Sequence, residues 1–113
     1  MSEGTEGNQA GPGNTCLITC VVQRGNGDAV SKAALKAKAG GATTFFARGA
    51  GNRQMLGLLG LAIVPEKEVV MILCKVEDSS RIFDAVAAAG KLDTPGMGVA
   101  YMIPILQVRG GNF

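Results

Sequence analysis

Val69-Val70-Met71-Ile72-Leu73-Cys74 runs for six residues without a polar side chain. A short apolar run of this β-branched and aliphatic type reads as a strand covered on both faces, because a half-exposed strand would alternate. A chain containing it must therefore find two covering layers. Further strands are expected in Cys16-Leu17-Ile18-Thr19-Cys20-Val21-Val22, in Thr43-Thr44-Phe45-Phe46, and in Val99 through Val108, where Pro104 argues for an edge or a bulge. Arg24-Gly25-Asn26-Gly27 ends the first of these with turn chemistry.

Helical spacing fills the gaps. Val30, Ala33, Ala34 and Ala37 recur on one face after Asp28, a candidate N-cap, with Lys32, Lys36 and Lys38 on the solvated face and Gly40-Gly41 as the stop. Ile82, Phe83, Val86 and Ala89 form a second stripe between Asp78, another candidate cap, and Gly90. The resulting order is strand, helix, strand, strand, helix, strand. That is the split βαβ pattern of an α+β, ferredoxin-like βαββαβ domain with an antiparallel sheet and two helices on one face. Two helices cover one face only, so an apolar second face calls for packing sheets around a common axis in a homo-oligomer.

The 113 residues suit a single domain, residues 15–113, preceded by a Gly-rich polar tail at residues 1–14 that has little to bury. With 47% apolar and 18% charged residues, a proper core is available. A net charge of +2 with four Phe, one Tyr and no Trp is too balanced, and too poor in stacking platforms, for a nucleic-acid partner. The absence of His removes the usual general base, metal ligand and nucleophile arrangements. Glu66, Glu68, Glu77, Asp78, Asp84 and Asp93 read as turn, cap or surface residues, so no catalytic residue and no metal site is expected. The longest mostly apolar run, Met55–Pro65, is shorter than the ~20 residues of a spanning helix, and the N-terminus is not signal-like, so no membrane insertion is expected.

Three cysteines without CxxC spacing fit a reduced cytoplasm. Cys16 and Cys20 share a strand face but stand ~13 Å apart, too far for a mutual disulfide. Cys74, on a neighbouring strand, can approach one of them. Buried inert thiols are the default over a redox switch or a soft-metal site.

Three passages carry a resemblance to a known family: Gly41-Ala42-Thr43 through Gly49-Ala50-Gly51-Asn52-Arg53-Gln54, then Ala89-Gly90-Lys91-Leu92, and finally Gln107-Val108-Arg109-Gly110-Gly111. In order and spacing they resemble the PII family of trimeric nucleotide-binding signal transducers, in particular its divergent PII-like branch, over Cys16–Arg109. The resemblance implies a homotrimer with adenine nucleotide bound in clefts between subunits. Gly49, Gly51, Arg53 and Gln54 would form the base of the family's T-loop around the phosphates, with Arg48 and Asn52 beside them and Gln54 toward magnesium and a small anionic effector such as bicarbonate or 2-oxoglutarate. Glycine amides approach phosphate closely, and Arg supplies a charge-assisted fork. A glycine-rich hairpin with solvated arginines is the alternative. Gly90, Lys91 and Gly96 match the phosphate-gripping B-loop, although Gly90 taken alone is more often a helix C-cap and Lys91 a last-turn cation favoured by the dipole. Gly41, Ala42 and Thr43 match the adenine-holding segment, and Arg109 the cation reaching across the subunit boundary.

Met97 stands where the family often has a second lysine, and Gln107 where it has a second arginine. Each missing cation removes ~1.5–3 kcal/mol of charged hydrogen bonding, which makes AMP or ADP as well suited as ATP. Tyr101, the only tyrosine, falls in the last strand, so control by uridylylation does not carry over. The loop from Gly49 to Gly60 is short for the family and apolar at Met55–Leu59, which fits docking onto a protein target such as a transporter or an enzyme, or burial as the start of a strand. The CutA type is a neighbouring trimeric fold, but copper binding is disfavoured without His. The expected function is a non-enzymatic regulator, the alternative being a constitutive trimeric assembly module.

Overall fold

The structure, a computed structural model, describes residues 13–49 and 66–111. Its elements are β1 (Thr15–Gln23), α1 (Gly27–Lys36), β2 (Thr43–Arg48), β3 (Glu66–Lys75), α2 (Val76–Ala89) and β4 (Gly98–Ile105). The strands form one antiparallel sheet in the order β2-β3-β1-β4, the α+β split βαβ architecture expected from the sequence. Of the expected tail, residues 1–12 lie outside the described residues. The Asn14 carbonyl accepts a 2.9 Å hydrogen bond from the Val76 N–H, which ties the chain to the start of α2.

Side-chain alternation divides the sheet into two faces. On the even-numbered face Cys16, Ile18, Cys20 and Val22 of β1 meet Val70, Ile72 and Cys74 of β3 beneath Val30 and Ala34 of α1 and Ile82 and Val86 of α2. Each large side chain buried there contributes roughly 1.5–3 kcal/mol. Among the described residues no helix lies over the odd-numbered face. Phe45, Leu73, Val99, Tyr101 and Ile103 stay 37–53% exposed on that side. The continuous apolar run of β3 is thus covered on one face, not two, by the described residues. Pro104 sits in β4, an edge strand, as its missing N–H requires. That strand ends at Ile105, short of the expected Val108.

The helix ends depart from the sequence reading in an informative way. Both helices close with the same motif: Ala39 and Lys38 N–H groups bond the Ala34 and Leu35 carbonyls, and Leu92 and Lys91 N–H groups bond those of Ala87 and Ala88. The left-handed position, usually glycine, is held by Lys38 (φ 77°) and Lys91 (φ 55°). Gly40-Gly41 is therefore not the stop of α1, whereas Gly90 (φ −81°) is the C-cap of α2 as expected, without the left-handed conformation; a Cβ there would crowd the Leu92 side chain and the Val86 carbonyl at 3.3 Å.

The helix starts differ too. Asp28 and Asp78 lie inside the first turns rather than at the caps. The nearly buried Glu68 carboxylate instead accepts the N–H groups of Gly25 (2.6 Å) and Gly27 (3.0 Å), holding the entry to α1. A Cβ at Gly27 would come within 2.7 Å of Glu68 Oε2, so a larger residue there would have to displace that carboxylate. Asp78 pairs with Arg81 at 3.3 Å, and Arg81 Nε donates to the Ala37 carbonyl, linking α2 to the end of α1.

Candidate functional site

The residues singled out from the sequence fall at two ends of the sheet. Arg48 closes β2 opposite Glu66, the first residue of β3, and Gly49 follows it. At this same end β1 finishes at Gln23, whose Nε2 donates a 2.9 Å hydrogen bond to the Gly96 carbonyl. Because α2 starts directly after Lys75 and runs back over β3, its C-terminus returns Gly90 and Lys91 to this end as well. Gly96 takes the left-handed conformation (φ 84°) that the turn into β4 requires, and Thr94 and Met97 N–H groups bond the Lys91 and Thr94 carbonyls. We call this the loop end.

Arg24, Arg48, Glu66 and Lys91 all stand there. Arg24 forms an ion pair with Glu66 and stands over the exposed Phe46 ring, 5.8 Å from its centroid. Lys91 is exposed and occupies a backbone conformation that costs an L-residue about 1–2 kcal/mol. Glycine would relieve that cost, as it would at Lys38. Gly51, Asn52, Arg53 and Gln54 lie outside the described residues.

At the opposite end Gly41, Ala42 and Thr43 lie beside a cleft. With Gly40, Leu17, Met71, Leu73 and Gly111 they line a cleft of about 640 Å³ on the open sheet face. Leu17 and Leu73 are cross-strand partners, as are Thr43 and Met71, so the cleft floor is a patch of the uncovered sheet itself. A Cβ on Gly41 would meet nothing within 4 Å, and its φ is not left-handed. Nothing in the described part of the protomer demands glycine there. Arg109 lies just beyond β4, whose last residue faces Thr15, and is exposed between that strand and Gly110 (φ 87°).

The two groups do not meet in one protomer. The nine residues of β1 alone span about 27 Å between the ends. The apolar floor was not singled out from the sequence, since Leu17, Met71 and Leu73 become neighbours only through the strand register. Among the described residues no group of three or more His, Cys, Asp or Glu converges as metal ligands, and no helix is long and apolar enough to cross a membrane.

No family model matches the sequence, and no curated protein matches it. Among solved structures, the crystal structure of Arabidopsis thaliana PII bound to citrate is similar, with a TM-score of 0.65 at 18% identity, covering 81% of this chain and 78% of that one. The chain therefore has a PII-like α+β fold, as its motif order implied.

Proposed function

We propose that this chain is a non-enzymatic, PII-like regulator that assembles as a homotrimer and binds an adenine nucleotide between neighbouring copies. The observation that carries the reading is the cleft beside Gly41-Ala42-Thr43, glycine-walled, apolar-floored and continuous with an uncovered sheet face. An adenine ring is a flat, largely apolar group with polar edges. Leu17, Met71 and Leu73 suit its faces, and the Gly40–Ala42 backbone suits its edges. The space over Gly41 that a Cβ would fill remains available to a ligand or a neighbour.

Phosphates need cations and amides, and these stand at the other end of the sheet: Arg48, Gly49, Gly90, Lys91 and Gly96. A head-to-tail arrangement about a common axis brings the loop end of one copy to the cleft end of the next, and such an arrangement closes into a ring. It also covers the open face. In that assembly Lys91 of one copy and Arg109 of the next grip the same phosphates, with Gly51, Arg53 and Gln54 completing the shell. Magnesium would be held by phosphate oxygens and the Gln54 amide. With Met97 and Gln107 supplying no charge, AMP and ADP suit the site as well as ATP does. A small anionic metabolite as co-effector and a protein target reading the loop after Gly49 complete the proposal. The loop would act by population shift, its states differing in their phosphate contacts.

A thermal-shift series with AMP, ADP and ATP, with and without magnesium, tests the reading, since a ligand of the native state raises the midpoint with concentration. A concentration-dependent rise with at least one nucleotide is expected. Flat midpoints with all three, for a protein of trimeric mass, would favour the constitutive assembly module instead.

A further inference from the structure

Cys16 and Cys74 are directly opposed in the β1–β3 ladder, on the helix-covered face, with their sulfurs 3.6 Å apart. Directly paired residues of an antiparallel ladder have Cα atoms ~4.5 or ~5.5 Å apart, both inside the ~4.4–6.8 Å range that a disulfide needs. The backbone is therefore already at bridging distance, and side-chain rotation supplies the remaining approach. All three cysteines are free thiols, and Cys20 lies four residues further along β1, opposite Val70 and away from the pair.

We propose that Cys16 and Cys74 are a redox pair that a two-electron oxidant of the peroxide class converts into a cross-strand disulfide. The Cys16 sulfur attacks a peroxide oxygen, the O–O bond breaks, and one water leaves a sulfenic acid on Cys16. The Cys74 sulfur then attacks the Cys16 sulfur, the S–O bond breaks, and the departing hydroxide takes the Cys74 proton as a second water. Two thiols thereby lose two hydrogens and two electrons in total, and the peroxide is reduced to two waters. Burial pushes the Cys74 thiol up to about 12, and its hydrogen bond with Cys16 adds to the rise. Either thiol can donate in the hydrogen bond between them, and Cys16, one residue from the start of β1, is the attacking sulfur.

Cys16 stands next to the first residue of β1, so opening of the strand end is the route by which peroxide reaches it. The bridge would join the two central strands across 58 residues of sequence, a long loop whose closure restricts the unfolded chain strongly. The neighbouring pair, Leu17 and Leu73, belongs to the cleft floor, so the crosslink would lie directly behind it.

The test treats the reduced full-length protein with hydrogen peroxide, removes the oxidant, and then unfolds and alkylates it. Expected are a mass lower by about 2 Da before alkylation, one alkylatable thiol of the three, and a crosslinked peptide joining Cys16 to Cys74. The unfolding midpoint should rise and return on adding dithiothreitol. Cys20→Ser should behave alike, and Cys16→Ser should form no bridge. Three alkylatable thiols at unchanged mass, oxygen addition without a bridge, or a bridge through Cys20 or a second copy would each overturn the proposal. Peptide mapping of the unaltered chain decides the matter even if a serine variant folds poorly.

Discussion

On the even-numbered face of the sheet Ile18 and Ile72 are fully buried under two helices, whereas on the odd-numbered face Tyr101 and Ile103 keep 47% and 45% of their surface exposed. The same strands supply both sets. A β-strand cannot bias its composition toward one face without alternating, and β3 does not alternate from Val69 to Cys74. Its sequence is that of a strand with two covers, while the described chain provides one. In the proposed trimer the second cover comes from neighbouring copies. In that proposal the cleft that opens onto this face is completed by a neighbouring copy.

Placing a charge on the uncovered face should have the largest effect. Ile103→Asp is expected to abolish assembly, so that native mass spectrometry or sedimentation equilibrium reads one chain where the unaltered protein reads three, because an unpaired carboxylate cannot be buried at an interface core. Retention of the trimer by this variant would break the comparison between the faces.

A smaller effect sharpens the comparison between the two ends of the sheet. Lys91→Gly should raise stability by about 1 kcal/mol in denaturant unfolding, since glycine accepts the left-handed conformation at the end of α2. The same change should weaken nucleotide binding roughly tenfold to a hundredfold in calorimetry, by removing one charged hydrogen bond of ~1.5–3 kcal/mol. Stability and affinity moving in opposite directions is the signature of a cation kept for its ligand. If both were unchanged, Lys91 would be an ordinary cap residue.

Element order was legible because each helix and strand carries its own periodicity, and Pro104 correctly marked an edge strand. The approach of Cys74 to Cys16 also followed from strand adjacency. Helix ends were less legible. Two lysines occupy positions where glycines a residue or two away looked better suited, since hydrogen bonding of the final turn, not residue preference alone, selects the left-handed residue. The grip of Glu68 on Gly25 and Gly27 was hidden altogether, its partners being 43 and 41 residues away in sequence and joined only by strand pairing. Of the candidate site, the Gly41–Thr43 wall was readable as a motif, but its floor is a product of register.

Subunit complementation most directly tests the claim that the site is shared between copies. Lys91→Ala and Arg109→Ala proteins, each deficient in nucleotide binding alone, are unfolded together, refolded as mixed assemblies and titrated with ADP. The account predicts restored binding in the mixture, because a copy retaining Lys91 meets a neighbour retaining Arg109. A mixture that binds no better than its two components would contradict it.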